Sequence, residues 1–158
     1  MKEYLIPDLW DIVLNYCWPN TNDFLKLCRY GHYEKISMVE DGLWNLGFEL
    51  VCQYGYISMI DLIINKVTQV YKTKDVLDWN WGLYGACSGG NIEIVKLMIE
   101  KGANKWNWGL SGACYGGNIE IIKLMTEKGA DHWNWVVNTS AICYSAVCCC
   151  LQALYCYC

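Results

Sequence analysis

Positive charge is scarce in this sequence. Twelve Lys and Arg face sixteen Asp and Glu, leaving a formal net charge of −4 over 158 residues. No basic cluster is longer than Lys72-Thr73-Lys74. Nucleic acid is therefore not expected as a partner, because phosphate binding needs concentrated positive charge. Histidine is almost absent: only His32 and His132 could offer an imidazole, and no Cys-x-x-Cys pair has a second partner pair. No metal site can be drawn from that set. A phosphate-binding glycine loop is missing too, since Gly89-Gly90 and Gly116-Gly117 follow helical patterns and not strands. No Ser/His/Asp or paired-carboxylate arrangement stands apart from the pattern described next. The chain is expected not to be an enzyme, with no catalytic residues, no cofactor and no metal. The opening Met1-Lys2-Glu3-Tyr4-Leu5-Ile6-Pro7-Asp8 lacks the apolar run of a signal peptide. An intracellular, reducing compartment is the expectation.

What the sequence has is repetition. The stretch from Trp79 to Asn104 returns 27 residues later as Trp106 to Asp131. The copies differ at five aligned positions only: Tyr84/Ser111, Ser88/Tyr115, Val95/Ile122, Ile99/Thr126 and Asn104/Asp131. A third copy opens at Trp133-Asn134-Trp135 and then loses the pattern. Upstream, Trp44 through Ile57 matches Trp79 through Ile92, and Cys28 through Ile36 matches Cys87 through Val95. Between Cys52 and Cys87 the spacing is 35, so eight residues are inserted, placed near Gln69 to Lys74 after the second helix of that unit. A fixed period of this length marks a stacked repeat.

Each unit reads as helix, tight turn, helix and short loop. In the best-formed unit the first helix runs from about Asn80 to Ser88, and Gly89-Gly90-Asn91 supplies the turn. The second helix follows from about Ile92 to Lys101, with Gly102 closing it. Ile94, Val95, Leu97 and Met98 form its apolar face, and Lys96–Glu100 and Lys123–Glu127 are i,i+4 pairs worth about 0.3 kcal/mol each. Four of the eleven cysteines, Cys28, Cys52, Cys87 and Cys114, occupy one slot at the end of each first helix. A free cysteine packs as a small hydrophobe, so they are expected in a core and not in disulfides.

Ala86-Cys87-x-x-Gly90-Asn91-x-Glu93-Ile94-Val95-Lys96-Leu97-Met98-x-Glu100-x-Gly102-Ala103-Asn104 resembles the core of an ankyrin repeat, and Gly31-His32 and Gly117-Asn118 fit the same frame. The resemblance covers residues 24–135. It departs from the family in its period of 27 against 33. It departs also in the Trp-Asn-Trp-Gly-Leu that stands where the family carries Asp-x-x-Gly-x-Thr-Pro-Leu-His. The missing residues are those of the family's β-hairpin. The resemblance implies an all-α solenoid of stacked helix-turn-helix repeats with β-hairpins missing or reduced. Short Trp-Asn-Trp units of this kind look like those of large DNA viruses of amoebae. That implies a monomeric viral protein–protein interaction scaffold, acting on host proteins in the host cytoplasm.

Trp79, Trp106 and Trp133 recur once per unit, as do Trp81, Trp108 and Trp135. Stacking makes two ladders of them. One is expected to fill the space left by the hairpin. The other is a candidate partner-binding stripe, since Trp is enriched among interface anchors.

Both ends differ from the middle. Residues 1–22 are expected to form an N-terminal capping helix, with Leu9, Ile12, Val13 and Tyr16 on one apolar face. The same stretch, Ile6 to Tyr16, resembles the first helix of an F-box, which implies the alternative of a substrate adaptor for a host ubiquitin ligase. Residues 23–135 hold the repeats. Residues 136–158 form an uncharged tail with six cysteines. It reads as a divergent cap, a frameshifted end or a membrane tether, although Asn138, Thr139, Ser140, Ser145 and Gln152 weaken it as a span.

Overall fold

The computed structural model describes residues 22–31, 44–72 and 76–132. Among them lie seven helices and no strand: α1 Asn22–Tyr30, α2 Trp44–Tyr54, α3 Ile57–Tyr71, α4 Trp79–Gly89, α5 Ile92–Glu100, α6 Trp106–Gly116 and α7 Ile119–Glu127. The expected all-helical class is therefore what the described residues adopt. The proposed capping helix, the F-box-like stretch, His32, Trp133, Trp135 and the tail lie outside the described residues.

The helices begin and end where the sequence provides for it. Asp78 caps α4 by accepting the Asn80 N–H at 2.9 Å. Gly90 then ends the helix at φ 77°, and the Asn91 N–H turns back to the Ala86 carbonyl at 2.9 Å. Only glycine takes that backbone without strain. α6 repeats this at Gly117, with Asn118 N–H on the Ala113 carbonyl at 2.9 Å. α5 and α7 close on Gly102 and Gly129, both at positive φ.

The insertion is accommodated differently from expectation. Gln69 to Tyr71 do not follow the helix; they belong to its last turn, since α3 is 15 residues long against 9 for α5. Val67 stands where Gly102 ends α5, and it is buried, so the helix continues through it. It stops at Lys72, whose φ is 58°. The added turn carries the Tyr71 hydroxyl to the Trp44 indole N–H at 3.3 Å.

α2, α4 and α6 pack side by side, with α1 on the outer side of α2. α3, α5 and α7 pack on the same row, each against the helix that precedes it. Glycines set the spacing in the row. A Cβ on Gly85 would strike the Glu49 carbonyl, and one on Gly89 the Gln53 carbonyl. On Gly112 it would meet the Tyr84 carbonyl at 2.5 Å. The neighbour in each case is backbone, which cannot swing aside, so the helices meet only where side chains are absent. The core lies between the two rows, with Phe48, Ile63, Leu83, Met98, Leu110 and Met125 wholly buried. Each such side chain contributes about 1.5–3 kcal/mol by leaving water. The i,i+4 pairs contribute nothing comparable: among the described residues the ion pairs are Lys105–Asp78 and His132–Asp131, not Lys96–Glu100 or Lys123–Glu127.

Cys28, Cys52, Cys87 and Cys114 are all buried. Burial pushes the Cys28 and Cys87 thiols up to about 12 and raises Cys52 further. They are packing residues, as their shared slot indicates. Among the described residues, no helix is long and apolar enough to cross a membrane.

Candidate functional site

α4 and α6 share one division of labour. In α4, Leu83, Ala86 and Cys87 face the core, while Gly82, Gly85 and Gly89 face α2 and the core rim. What remains is Trp81, Tyr84 and Ser88, at i, i+3 and i+7, which share one helix face. The same register gives Leu46, Glu49 and Gln53 on α2, and Trp108, Ser111 and Tyr115 on α6. These nine residues are all half-buried or exposed, up to 65% for Tyr115. They form one continuous surface on the side of the row away from α3, α5 and α7.

The tryptophans divide between two roles. Trp79 and Trp106 are half-buried and pack against the core, and Trp79 meets Phe48 edge to face at 5.7 Å. Trp81 and Trp108 lie on the outward surface, edge to face at 6.0 Å. The Lys105 ammonium sits 4.3 Å from the Trp108 ring centre and 3.4 Å from Asp78 Oδ2. Beside this pair opens a cleft of about 450 Å³, lined by Asn104, Lys105, Trp106, Asn107, Trp108 and His132. His132 is exposed there, 3.6 Å from Asp131. Among the described residues no group of His, Cys, Asp and Glu could hold a metal.

Asparagine between the tryptophans is structural. Asn80 Oδ1 accepts the N–H groups of Asn104 and Lys105, both at 2.9 Å. Asn107 Oδ1 accepts those of Asp131 and His132 at 2.9 and 3.0 Å, and Asn45 Oδ1 accepts that of Asp78 at 2.8 Å. Each clamps the loop that follows its own helix pair and leads into the next unit. The amide N–H₂ fixes the orientation by donating elsewhere: from Asn80 to Asp78, from Asn107 to Asp131, from Asn45 to the Val76 carbonyl. At the other end of the units, Asn91 Nδ2 donates to the Cys52 and Gln53 carbonyls at 2.9 and 2.8 Å, and Asn118 Nδ2 to Cys87 at 3.1 Å. Tyr56 fills the equivalent slot, its hydroxyl 3.5 Å from the Arg29 carbonyl.

The outward surface carries one carboxylate, Glu49. Burial raises its pKa. Burial, followed by the charges of Glu49 and Tyr115, raises that of Tyr84. Glu49, Tyr84, Ser111, Tyr115, Leu46 and Gln53 were not singled out by the tryptophan pattern. Their signal was available in the i, i+3, i+7 spacing within each first helix. Compared with known proteins, the chain matches no family model and no curated protein.

Proposed function

We propose that the chain is a protein-interaction scaffold of the ankyrin-like solenoid type, which binds a partner protein on the outward face of α2, α4 and α6. One observation carries the reading. α4 and α6 are WNWGLYGACSG and WNWGLSGACYG, and they differ at two positions only. Both differences, Tyr84/Ser111 and Ser88/Tyr115, fall on the outward face. Packing explains why the other positions repeat: Gly82 and Gly109 face core side chains and the other helix glycines meet neighbouring backbone, the Leu, Ala and Cys fill the core, and Asn clamps the loop. Ser88 Oγ accepts a long hydrogen bond from Gln53 Nε2 at 3.4 Å, but core packing does not ask for Tyr and Ser to change places between the two helices. A surface varied on a repeated frame suits recognition of a partner that is not itself repeated.

The aromatic content of that face supports the same reading, because Trp and Tyr offer large contact area at low entropic cost. Asn80 and Asn107 hold the loops between units in place, and the outward face is left as a surface shared by α2, α4 and α6. The test is selection of binding peptides from a phage-displayed random library on the immobilised full chain. Tyr115→Ala and Tyr84→Ala are expected to weaken selected binders about thirtyfold, as for interface anchors, with the circular dichroism spectrum unchanged. Binders insensitive to every outward-face change would show that the interaction lies elsewhere.

A further inference from the structure

Glu49 is the unexplained group on the outward face. Its neighbours in the register are Leu46 and Gln53 on α2 and Tyr84 on α4. It is half-buried, yet among the described residues it has neither an ion pair nor a side-chain hydrogen bond. Arg29 occupies an exposed outward position on α1, and Lys105 is engaged with Asp78 and Trp108. Folding therefore removes part of the water around a carboxylate, and among the described residues no counter-charge meets it, an arrangement that costs stability and that a core would not need. The scaffold does not require a carboxylate there, since the same slot holds Tyr84 in α4 and Ser111 in α6.

The surroundings specify what would complete it. Trp81 and Trp108 offer aromatic surface on one side, and Tyr84 a phenol ring beside the carboxylate. Aromatic walls with one acid suit a cationic side chain, whose head pairs with the carboxylate and whose stem lies on the rings. Resting on the interaction reading above, we infer that the partner segment presents a Lys or Arg to Glu49, flanked by apolar residues that cover Leu46, Trp81 and Trp108. The remaining outward residues, Ser111 and Tyr115 together with Gln53 and Ser88, which are bonded to each other at 3.4 Å, are neutral and would discriminate little by charge. The partner's basic residue then sets the register of the whole docked segment, because only one position on the face can neutralise it.

Peptides selected from the displayed random library supply the test. The expected result is enrichment of Lys or Arg, next to apolar residues, above the starting library. Glu49→Gln should weaken those peptides about tenfold or more, the range for hydrogen bonds to charged groups, and should remove most of the salt dependence of their binding. Glu49→Lys, panned with the same library, should enrich Asp and Glu instead. Selected peptides without basic residues, or equal affinity for the wild type and a folded Glu49→Gln, overturn the inference and leave the interaction reading standing. If no peptide is selected at all, that reading falls, and this inference with it.

Discussion

Asn80 shows how much one side chain can hold. It is buried to 9% exposure and is the one buried polar side chain among the described residues. It satisfies the Asn104 and Lys105 amides while Asp78 fixes its orientation. Asn80→Ala leaves both amides without their partner, and each unsatisfied group costs about 1–3 kcal/mol where water cannot reach it. We expect about 2 kcal/mol of destabilisation by urea denaturation, and less for Asn107→Ala, whose loop is exposed and can turn to water. Equal losses would mean that burial does not decide the strength of the clamp. Asp78 adds a pH dependence. Burial pushes its pKa up, but the Asn80 N–H, the Asn80 amide and Lys105 outweigh it, and the net shift is below the ordinary 3.8. A lowered folded-state value gives stability that is present above the unfolded pKa and lost as pH falls through the folded one. Asp78→Asn should flatten the stability profile below pH 4 or so; an unchanged acid limb would sink that assignment. Glu49 has the opposite sign. Its raised pKa means stability present below the unfolded value and lost as pH rises through the folded one.

Among the helices, the glycines of α4 and α6 set a conflict between propensity and packing. Glycine inside a helix costs about 1 kcal/mol relative to alanine. On propensity alone, Gly85→Ala would stabilise α4. Its Cβ, however, would meet the Glu49 carbonyl of α2, which belongs to a helix backbone and cannot move independently. Overpacking of this kind costs about 1–3 kcal/mol, so we expect net destabilisation of about 1 kcal/mol or more. A stabilised Gly85→Ala would show that α2 and α4 are further apart than described. The same element shows what was legible beforehand. The 27-residue period located α4 to α7 within a residue at each end, because glycine turns and apolar faces are local signals. The extension of α3 was misplaced, because the end of that helix depends on Val67 being buried by residues distant in sequence.

Across the described residues, the closely packed helix pairs lie within a unit or between adjacent units, so stability is expected to be a sum of units and junctions. The α2–α4 and α4–α6 contacts are close enough to couple them, and the chain should unfold with coincident far-ultraviolet circular dichroism and tryptophan fluorescence transitions. The folded spectrum should be helical with little β-structure. Loosening the α2–α4 junction by Gly85→Ala should separate the two transitions, because most of the tryptophans of the described residues lie from Trp79 onward. Coincident curves in that variant would mean that the junction is not where the coupling resides.

Among the described residues, the sequence by itself determined the helical class, the bounds of α4 to α7 and most of their core. Repetition, glycine turns and three- and four-residue apolar spacing are properties of neighbouring residues, and they survive without any knowledge of contacts. It also marked the buried cysteines, since one slot repeated four times is a packing position. The tertiary structure alone decided which ladder of tryptophans is which. Trp79 and Trp81 are two residues apart on either side of Asn80, and only the direction of the adjoining helices puts one against Phe48 and the other against Trp108. The roles of Asn80 and Glu49 were likewise decided there. One gains partners 24 and 25 residues away, and the other gains none among the described residues, and neither fact can be expressed in the order of residues along a chain.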